Sequence, residues 1–342
     1  MPPLKSIDLP PYKEGFGTIF LKSQFCGKPK WAPKTTDLSG KVAIITGANT
    51  GLGFHSSRQL LSFKLAHLIV AVRSVTKGEE AASKLRKQYP KAKIEVWELE
   101  MGSYESIQSF ARRAAALPRL DIAILNAGLA RMEFVTNAKT GHEEVMQINY
   151  LSTMLLAILL LPTLKAKSTA GRLTIVNSGT SYRATFLNRN EIPLLPSFDK
   201  VEGFVPDQRY ACSKLLGHLF FVRLVDYISA DDVVVNLVDP GLCKGSGLNR
   251  EAQGVFGVVV AIGERLLGRN LEVGASTYVD AAILKGQESH GCFVMDWDIK
   301  PFANMVYESE GQPVIDRLWD ETLKELDFAG VRGILEDMRN RK

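Results

Sequence analysis

Cysteine is scarce in this chain. Cys26, Cys212, Cys243 and Cys292 are the only four in 342 residues, no two form a CxxC pair, and the five histidines show no ligand spacing. A disulfide scaffold and a structural metal are therefore excluded as organising features, and a reducing compartment follows. Long apolar runs are also missing: Met154 to Leu161 falls far short of the ~20 residues that span a bilayer. Met1 to Gly40 is rich in Pro, Lys and Gly and has no sustained apolar stretch, so no signal peptide is expected. Nor is there an excess of one charge. The 42 Lys and Arg against 37 Asp and Glu leave +5, spread through the chain apart from a small group at Arg339-Asn340-Arg341-Lys342. That pattern argues against a nucleic-acid partner. The expectation is a cytoplasmic chain without a transmembrane segment.

What the chain does have is apolar residues, 46% against 23% charged, enough for a large core. Thr46-Gly47-Ala48-Asn49-Thr50-Gly51-Leu52-Gly53 follows the β-rich run Lys41-Val42-Ala43-Ile44-Ile45 and precedes the helix-like Arg58-Gln59-Leu60-Leu61. Glycines on a strand-to-helix turn let backbone N–H groups and the positive end of the helix approach a pyrophosphate closely. The spacing is GxxxGxG and not GxGxxG, so the turn gains its meaning from the rest of the chain.

From Lys41 strand and helix signals alternate, as they do in a parallel sheet covered on both faces. Strands are expected at Val42 to Thr46, Leu68 to Val72, Lys93 to Leu99, Asp121 to Leu125, Arg172 to Asn177, Val233 to Val238 and, last, Cys292 to Met295. Helices are expected at Glu79 to Gln88, Tyr104 to Ala116, Gly141 to Lys165, Tyr210 to Ser229, Val255 to Leu267, Gly274 to Lys285 and, closing the chain, Pro313 to Leu326. Residues 1–37, with their prolines and two apolar patches, read as an arm lying on a single domain of residues 38–342. The aperiodic stretch 179–209 is too long for a plain connection and reads as a substrate loop. The region 243–270, with apolar Val255 to Ile262 flanked by Gly254 and Gly263, reads as a mobile lid.

Tyr210-Ala211-Cys212-Ser213-Lys214 opens a helix, and residues four apart share a helix face. A Lys214 ammonium near the Tyr210 phenol favours phenolate and lowers its pKa toward neutral, where it can exchange protons. Together with the glycine turn, this motif resembles the short-chain dehydrogenase/reductase family over about residues 38 to 297. Leu125-Asn126-Ala127-Gly128 matches the family's NAG motif and Asn149 the helix asparagine of the catalytic tetrad. Ser178 matches the catalytic serine, and Asp239-Pro240-Gly241 the PG turn that borders the nicotinamide. Ala48-Asn49-Thr50 and Val72-Arg73-Ser74 look like the retinol-dehydrogenase-like branch, and the region from Ser289 to Leu323 looks similar to its fungal members.

The resemblance implies a doubly wound α/β (Rossmann) fold and catalytic residues Asn149, Ser178, Tyr210 and Lys214. Tyr210 would exchange the proton with the substrate oxygen, Ser178 would orient that oxygen, Lys214 would bind the nicotinamide ribose, and Asn149 would position a water leading to Lys214. Coenzyme contacts would come from Gly47, Asn49, Thr50, Gly51, Leu52, Gly53, Arg73, Glu100, Asn126, Ala127, Gly128, Tyr210, Lys214, Pro240, Gly241 and Leu242. The chain departs from the family pattern in three places. Glu100 stands where an Asp beside the adenine is common, Gly245 followed by Ser246 stands where a Thr or Ser is usual, and Ser178 and Tyr210 lie 32 positions apart. At the end of the second strand Arg73-Ser74 replaces the carboxylate that NAD enzymes place on the ribose 2′-OH, so NADP(H) is the expected coenzyme. The expected reaction interconverts a carbonyl and an alcohol on an apolar small molecule, a retinoid-like, steroid-like or secondary-metabolite compound. The alternatives are a nucleotide-sensing module without catalysis and a biosynthetic enzyme coupling reduction to epimerisation or cyclisation. A homodimer or homotetramer is expected by analogy. Ser181 and Tyr182 are read as loop hydroxyls bonding their own backbone, and Cys243 as an ordinary buried thiol.

Overall fold

A computed structural model describes residues 4–165, 170–248, 250–251 and 254–340. Its centre is β1 (Val42–Thr46), five buried residues whose side chains point alternately to two sides of a sheet. Val42 and Ile44 join one apolar core and Ala43 and Ile45 the other, so both faces are covered. The remaining strands are β2 (His67–Val72), β3 (Lys93–Glu98), β4 (Ile122–Leu125), β5 (Gly171–Val176), β6 (Val233–Asp239), β7 (Cys292–Met295) and β8 (Asp298–Lys300). Their order is β3-β2-β1-β4-β5-β6-β7-β8. β1 pairs in parallel with both β2 and β4, and the strand order reverses between β1 and β4. That reversal opens a crevice at the carboxyl ends of the strands, where such sheets bind ligands.

The helices are α1 (Phe16–Cys26), α2 (Gly51–Ser62), α3 (Val75–Gln88), α4 (Tyr104–Ala115), α5 (Glu144–Met146), α6 (Thr153–Lys165), α7 (Pro206–Leu224), α8 (Gly254–Leu267), α9 (Leu271–Val279), α10 (Gly311–Glu325) and α11 (Val331–Arg339). Between α5 and α6 the helix continues as a π-helical stretch, Gln147–Ser152. The whole run Glu144–Lys165 is long and apolar enough to cross a membrane by length and composition, which a count of uninterrupted apolar residues does not reveal. In the fold, 89% of its most apolar window is buried, as the central helix of a packed layer requires.

Three expectations are corrected. β8 runs antiparallel to β7, joined by a tight turn with Asp296 and Trp297 at φ of 55° and 60°, so the sheet is mostly and not wholly parallel. α3 begins at Val75 and not near Glu79, because the Ser74 side chain accepts from Lys77 N at 3.4 Å and caps it. Pro313 to Leu326 does not close the chain: α11 follows α10 and packs its Val331, Leu335 and Met338 into the core shared with α6.

The stretch 179–209 is fastened at several points. Leu194 N and Leu195 N donate to the two carboxylate oxygens of Glu321 on α10, at 2.7 and 2.8 Å. Glu143 N donates to Asp199 Oδ1 at 2.7 Å, tying the loop to the start of α5. Of the expected lid, α8 is helical, while the side chains of Val255, Phe256 and Val258 to Val260 lie outside the described residues.

Candidate active site

The glycine turn sits where β1 delivers it. Gly47 N donates to Ala71 O at 2.8 Å, and Gly51 opens α2 at φ +55°, a conformation that disfavours a side chain. A Cβ at Gly51 would lie 2.8 Å from Ser246 O, so the chain after β6 crosses directly over the turn. Gly245 and Ser246 therefore stay at the site, although the Ser246 hydroxyl accepts from Leu248 N at 3.4 Å. Thr50 stands at the N-cap of α2 without a side-chain bond to the helix. The first-turn N–H groups and the positive helix end face no capping oxygen there, an arrangement suited to an anion.

Neighbouring loops hold this turn. Asn126 Nδ2 donates to Thr46 O at 2.9 Å, and Ala127 N donates to Thr46 Oγ1 at 2.8 Å. The buried Tyr278 on α9 donates its hydroxyl to Asn126 Oδ1 at 3.0 Å. Sequence reasoning missed Tyr278, which carries no motif and gains its meaning only from the partner its buried oxygen requires. Farther along the crevice Arg73 is exposed beyond β2, its Nε 3.7 Å from Glu100 Oε2, while Glu100 Oε1 accepts from Gly102 N at 3.0 Å. Ser74, next to Arg73, caps α3 by accepting from Lys77 N.

The four expected catalytic residues converge. Ser178 follows β5, and its Oγ accepts from Thr180 N at 3.2 Å. The Tyr210 phenol faces the Ser178 hydroxyl, which favours its ionised form. One turn along α7, Lys214 Nζ donates to Val176 O at 3.0 Å and lies 5.6 Å from the centre of the Tyr210 ring. Asn149 lies in the π-helical stretch, a distortion frequent at functional sites. Its side chain makes three hydrogen bonds: Oδ1 accepts from Leu129 N at 2.9 Å, and Nδ2 donates to Leu129 O at 2.8 Å and Ser213 Oγ at 3.1 Å.

The electrostatics overturn one expectation. Burial pushes the Tyr210 phenol above its ordinary range and the Asp239 carboxylate adds to the rise, with the Ser178 hydroxyl and Arg183 opposing. The ammonium that was expected to pull it down is drawn to a backbone carbonyl, and desolvation wins. Lys214 itself is pushed down to about 8 by burial, with Asp239 opposing. Asp239 is pushed up to about 6, again by burial, with Arg269 opposing. Tyr210 is thus held as the neutral phenol at neutral pH.

Other candidates resolve differently. The Tyr182 hydroxyl donates to Pro301 O at 2.6 Å, and its ring meets Tyr12, His218 and Phe293, so it anchors the core and does not bond its own loop. Ser181 is buried beside it. Cys243 is buried, its thiol pushed up to about 12 by desolvation and donating to Pro240 O at 3.6 Å, as an inert thiol does.

A parallel sheet with a glycine turn at its switch point and a serine, tyrosine and lysine gathered beside it defines a class of nucleotide-dependent oxidoreductase. Comparison with known proteins agrees. The family described as short chain dehydrogenase matches residues 41–188. A short chain dehydrogenase/reductase of Annulohypoxylon moriforme is 58% identical over 98% of this chain and 99% of its own length. A short chain dehydrogenase of Hypocrea virens is 43% identical over 94% of each chain. The chain belongs to the short-chain dehydrogenase/reductase family, and its curated relatives named here are fungal. Among solved structures, salutaridine reductase from Papaver somniferum shares the fold with a TM-score of 0.57 at 23% identity, over 74% of this chain and 99% of that one.

Proposed function

We propose that the protein is an NADP(H)-dependent oxidoreductase that interconverts a carbonyl and an alcohol on an apolar small molecule, a secondary-metabolite ketone or aldehyde being the best match. The observation that carries this reading is the half-buried Tyr210 phenol beside Ser178, with the buried Lys214 one helical turn away. The start of α2, where Thr50 makes no side-chain cap bond, suits a pyrophosphate lying across the glycine turn. Gly47, Asn49, Thr50, Gly51, Leu52 and Gly53 would hold that end, with Asn126 to Gly128 along the crevice and Pro240 to Leu242 beside the nicotinamide. A bound nicotinamide coenzyme supplies or accepts the hydride.

The chain's own residues do the rest. Ser178 and Tyr210 together offer two hydroxyls to a single substrate oxygen. Tyr210 keeps its proton at neutral pH and can give it to the oxygen of a carbonyl as that oxygen becomes an alcohol. Once the proton has left, the Lys214 ammonium, pushed down to about 8, is the stronger acid and can return a proton to the phenolate. Arg73 supports NADP(H) over NAD(H): its guanidinium ends β2 in solvent, and its contact with Glu100 engages only Nε and at more than hydrogen-bond length. Assay of the purified protein with NADPH against a panel of lipophilic ketones and aldehydes tests the reading. NADPH oxidation stoichiometric with alcohol supports it, and binding without turnover would favour a sensing module.

A further inference from the structure

We propose that α1 of the N-terminal arm is a working part of the coenzyme site, with Gln24 and Arg269 as positioning residues that set the Pro240–Leu242 backbone beside the nicotinamide half. The inference rests on the dehydrogenase reading above. Gln24 treats Leu242 as a neighbouring strand would: its Oε1 accepts from Leu242 N at 3.1 Å and its Nε2 donates to Leu242 O at 3.0 Å. The same Nε2 reaches Leu267 O at 2.7 Å. Arg269, buried against the ring of Trp297, donates through Nη1 to Pro240 O at 3.1 Å. Its Nη2 donates to Ser23 O at 2.6 Å and to Asp296 Oδ1 at 2.5 Å, and Ser23 Oγ donates to the same Asp296 oxygen at 2.7 Å. One helix, one arginine and one turn aspartate thus grip the backbone of both residues flanking Gly241.

Gly241 records the grip. Its φ is +73°, and a Cβ there would come within 2.6 Å of Gln24 Oε1 and 2.7 Å of Arg269 Nη1. The space a side chain would need is filled by the two clamping groups, so the glycine answers to the arm as well as to the turn. The clamp also reaches the proton-transfer residues. The Asp239 carboxylate lies against Gly179, next to Ser178, and it is the carboxylate that opposes the loss of charge at Lys214. Arg269 is in turn the group that favours the charged form of Asp239. A bond from residue 24 to residue 242 is thereby coupled to the site's electrostatics.

Two ligands separate a local clamp from a general loss of structure. NADPH would span the whole crevice, whereas adenosine 2′,5′-bisphosphate carries the adenosine with its 2′- and 5′-phosphates but no nicotinamide half, and would not reach Pro240–Leu242. Replacing Gln24 with methionine (Gln24→Met) keeps length and removes both polar atoms. The expected result is a rise of about tenfold in the NADPH Kd, the scale of one or two lost hydrogen bonds, with the bisphosphate Kd unchanged within about twofold. Equal weakening of both ligands, or no change in either, would overturn the inference. If Gln24→Met does not fold, Gln24→Glu, which retains the acceptor for Leu242 N, is measured with the same two ligands against the same outcomes. A wild-type protein that bound neither ligand would overturn the dehydrogenase reading first, and this inference with it.

Discussion

The phenol of Tyr210 and the guanidinium of Arg73 carry separate halves of the proposed chemistry, so substitutions at the two should fail in different ways. Tyr210→Phe deletes the one hydroxyl that faces the Ser178 side chain. Turnover is expected to fall by ~10²-fold or more, the scale of a removed general acid, while NADPH titration gives the wild-type Kd. Retained turnover in the purified variant would refute the assignment. Arg73→Ala removes an exposed charge that is only loosely engaged by Glu100. It should weaken NADPH by about 1.5–3 kcal/mol and leave NADH nearly unchanged, since only the former brings a 2′-phosphate. Parallel loss for both coenzymes would sink the NADP(H) preference. These residues could be found without coordinates because each belongs to a short motif whose chemistry is local. Tyr278, Gln24 and Arg269 could not, because their partners lie far along the chain, as Gln24 and Leu242 do, and no spacing rule joins them. The charge state of Tyr210 escaped for a related reason: the lysine is near in sequence, but desolvation is a property of the folded surroundings.

At the scale of elements, most parallel strands could be read because they are buried β-branched or aliphatic runs bounded by turns, while β3 shows itself by an alternation of charged with apolar residues. β8 could not, being three half-exposed residues, Asp298–Lys300, defined by pairing with β7. The start of α3 was hidden by Val75, which continues the strand-like texture of β2, and was set by the Ser74 cap. The segment 179–209 looked formless from its composition because its order comes from outside it. Glu321 on α10 accepts two of its backbone N–H groups, so Glu321→Ala leaves Leu194 N and Leu195 N without their charged acceptor. A loss of about 2–3 kcal/mol in stability is expected, with new protease cleavage confined to residues 183–205. If thermal unfolding and the cleavage pattern match the wild type, the anchor has no such role.

At the scale of the whole molecule, a single imidazole joins three distant segments. His142 Nδ1 lies 2.9 Å from Asp199 Oδ2 and Nε2 lies 3.1 Å from Glu325 Oε1, linking the start of α5, the 179–209 segment and the end of α10. Burial works against the imidazolium, but the hydrogen bonds to Asp199 and Glu325 outweigh it and raise the pKa to about 9. Because the folded value exceeds the unfolded one of about 6.5, the stabilisation is complete below pH ~6.5 and is lost as pH rises through about 9. Denaturant melts should show stability falling by about 1–2 kcal/mol across that window, and His142→Gln should flatten the slope. An unchanged slope in the variant would place the pH dependence elsewhere. The apolar helix Glu144–Lys165 has a consequence in time as well as in space. Part of its cover is α11, made some 165 residues later, so at ~5–20 residues per second a growing chain carries this helix with one side bare for roughly ten to thirty seconds. For that interval an apolar surface stands open, and the yield of native protein depends on what shelters it until the final helix arrives.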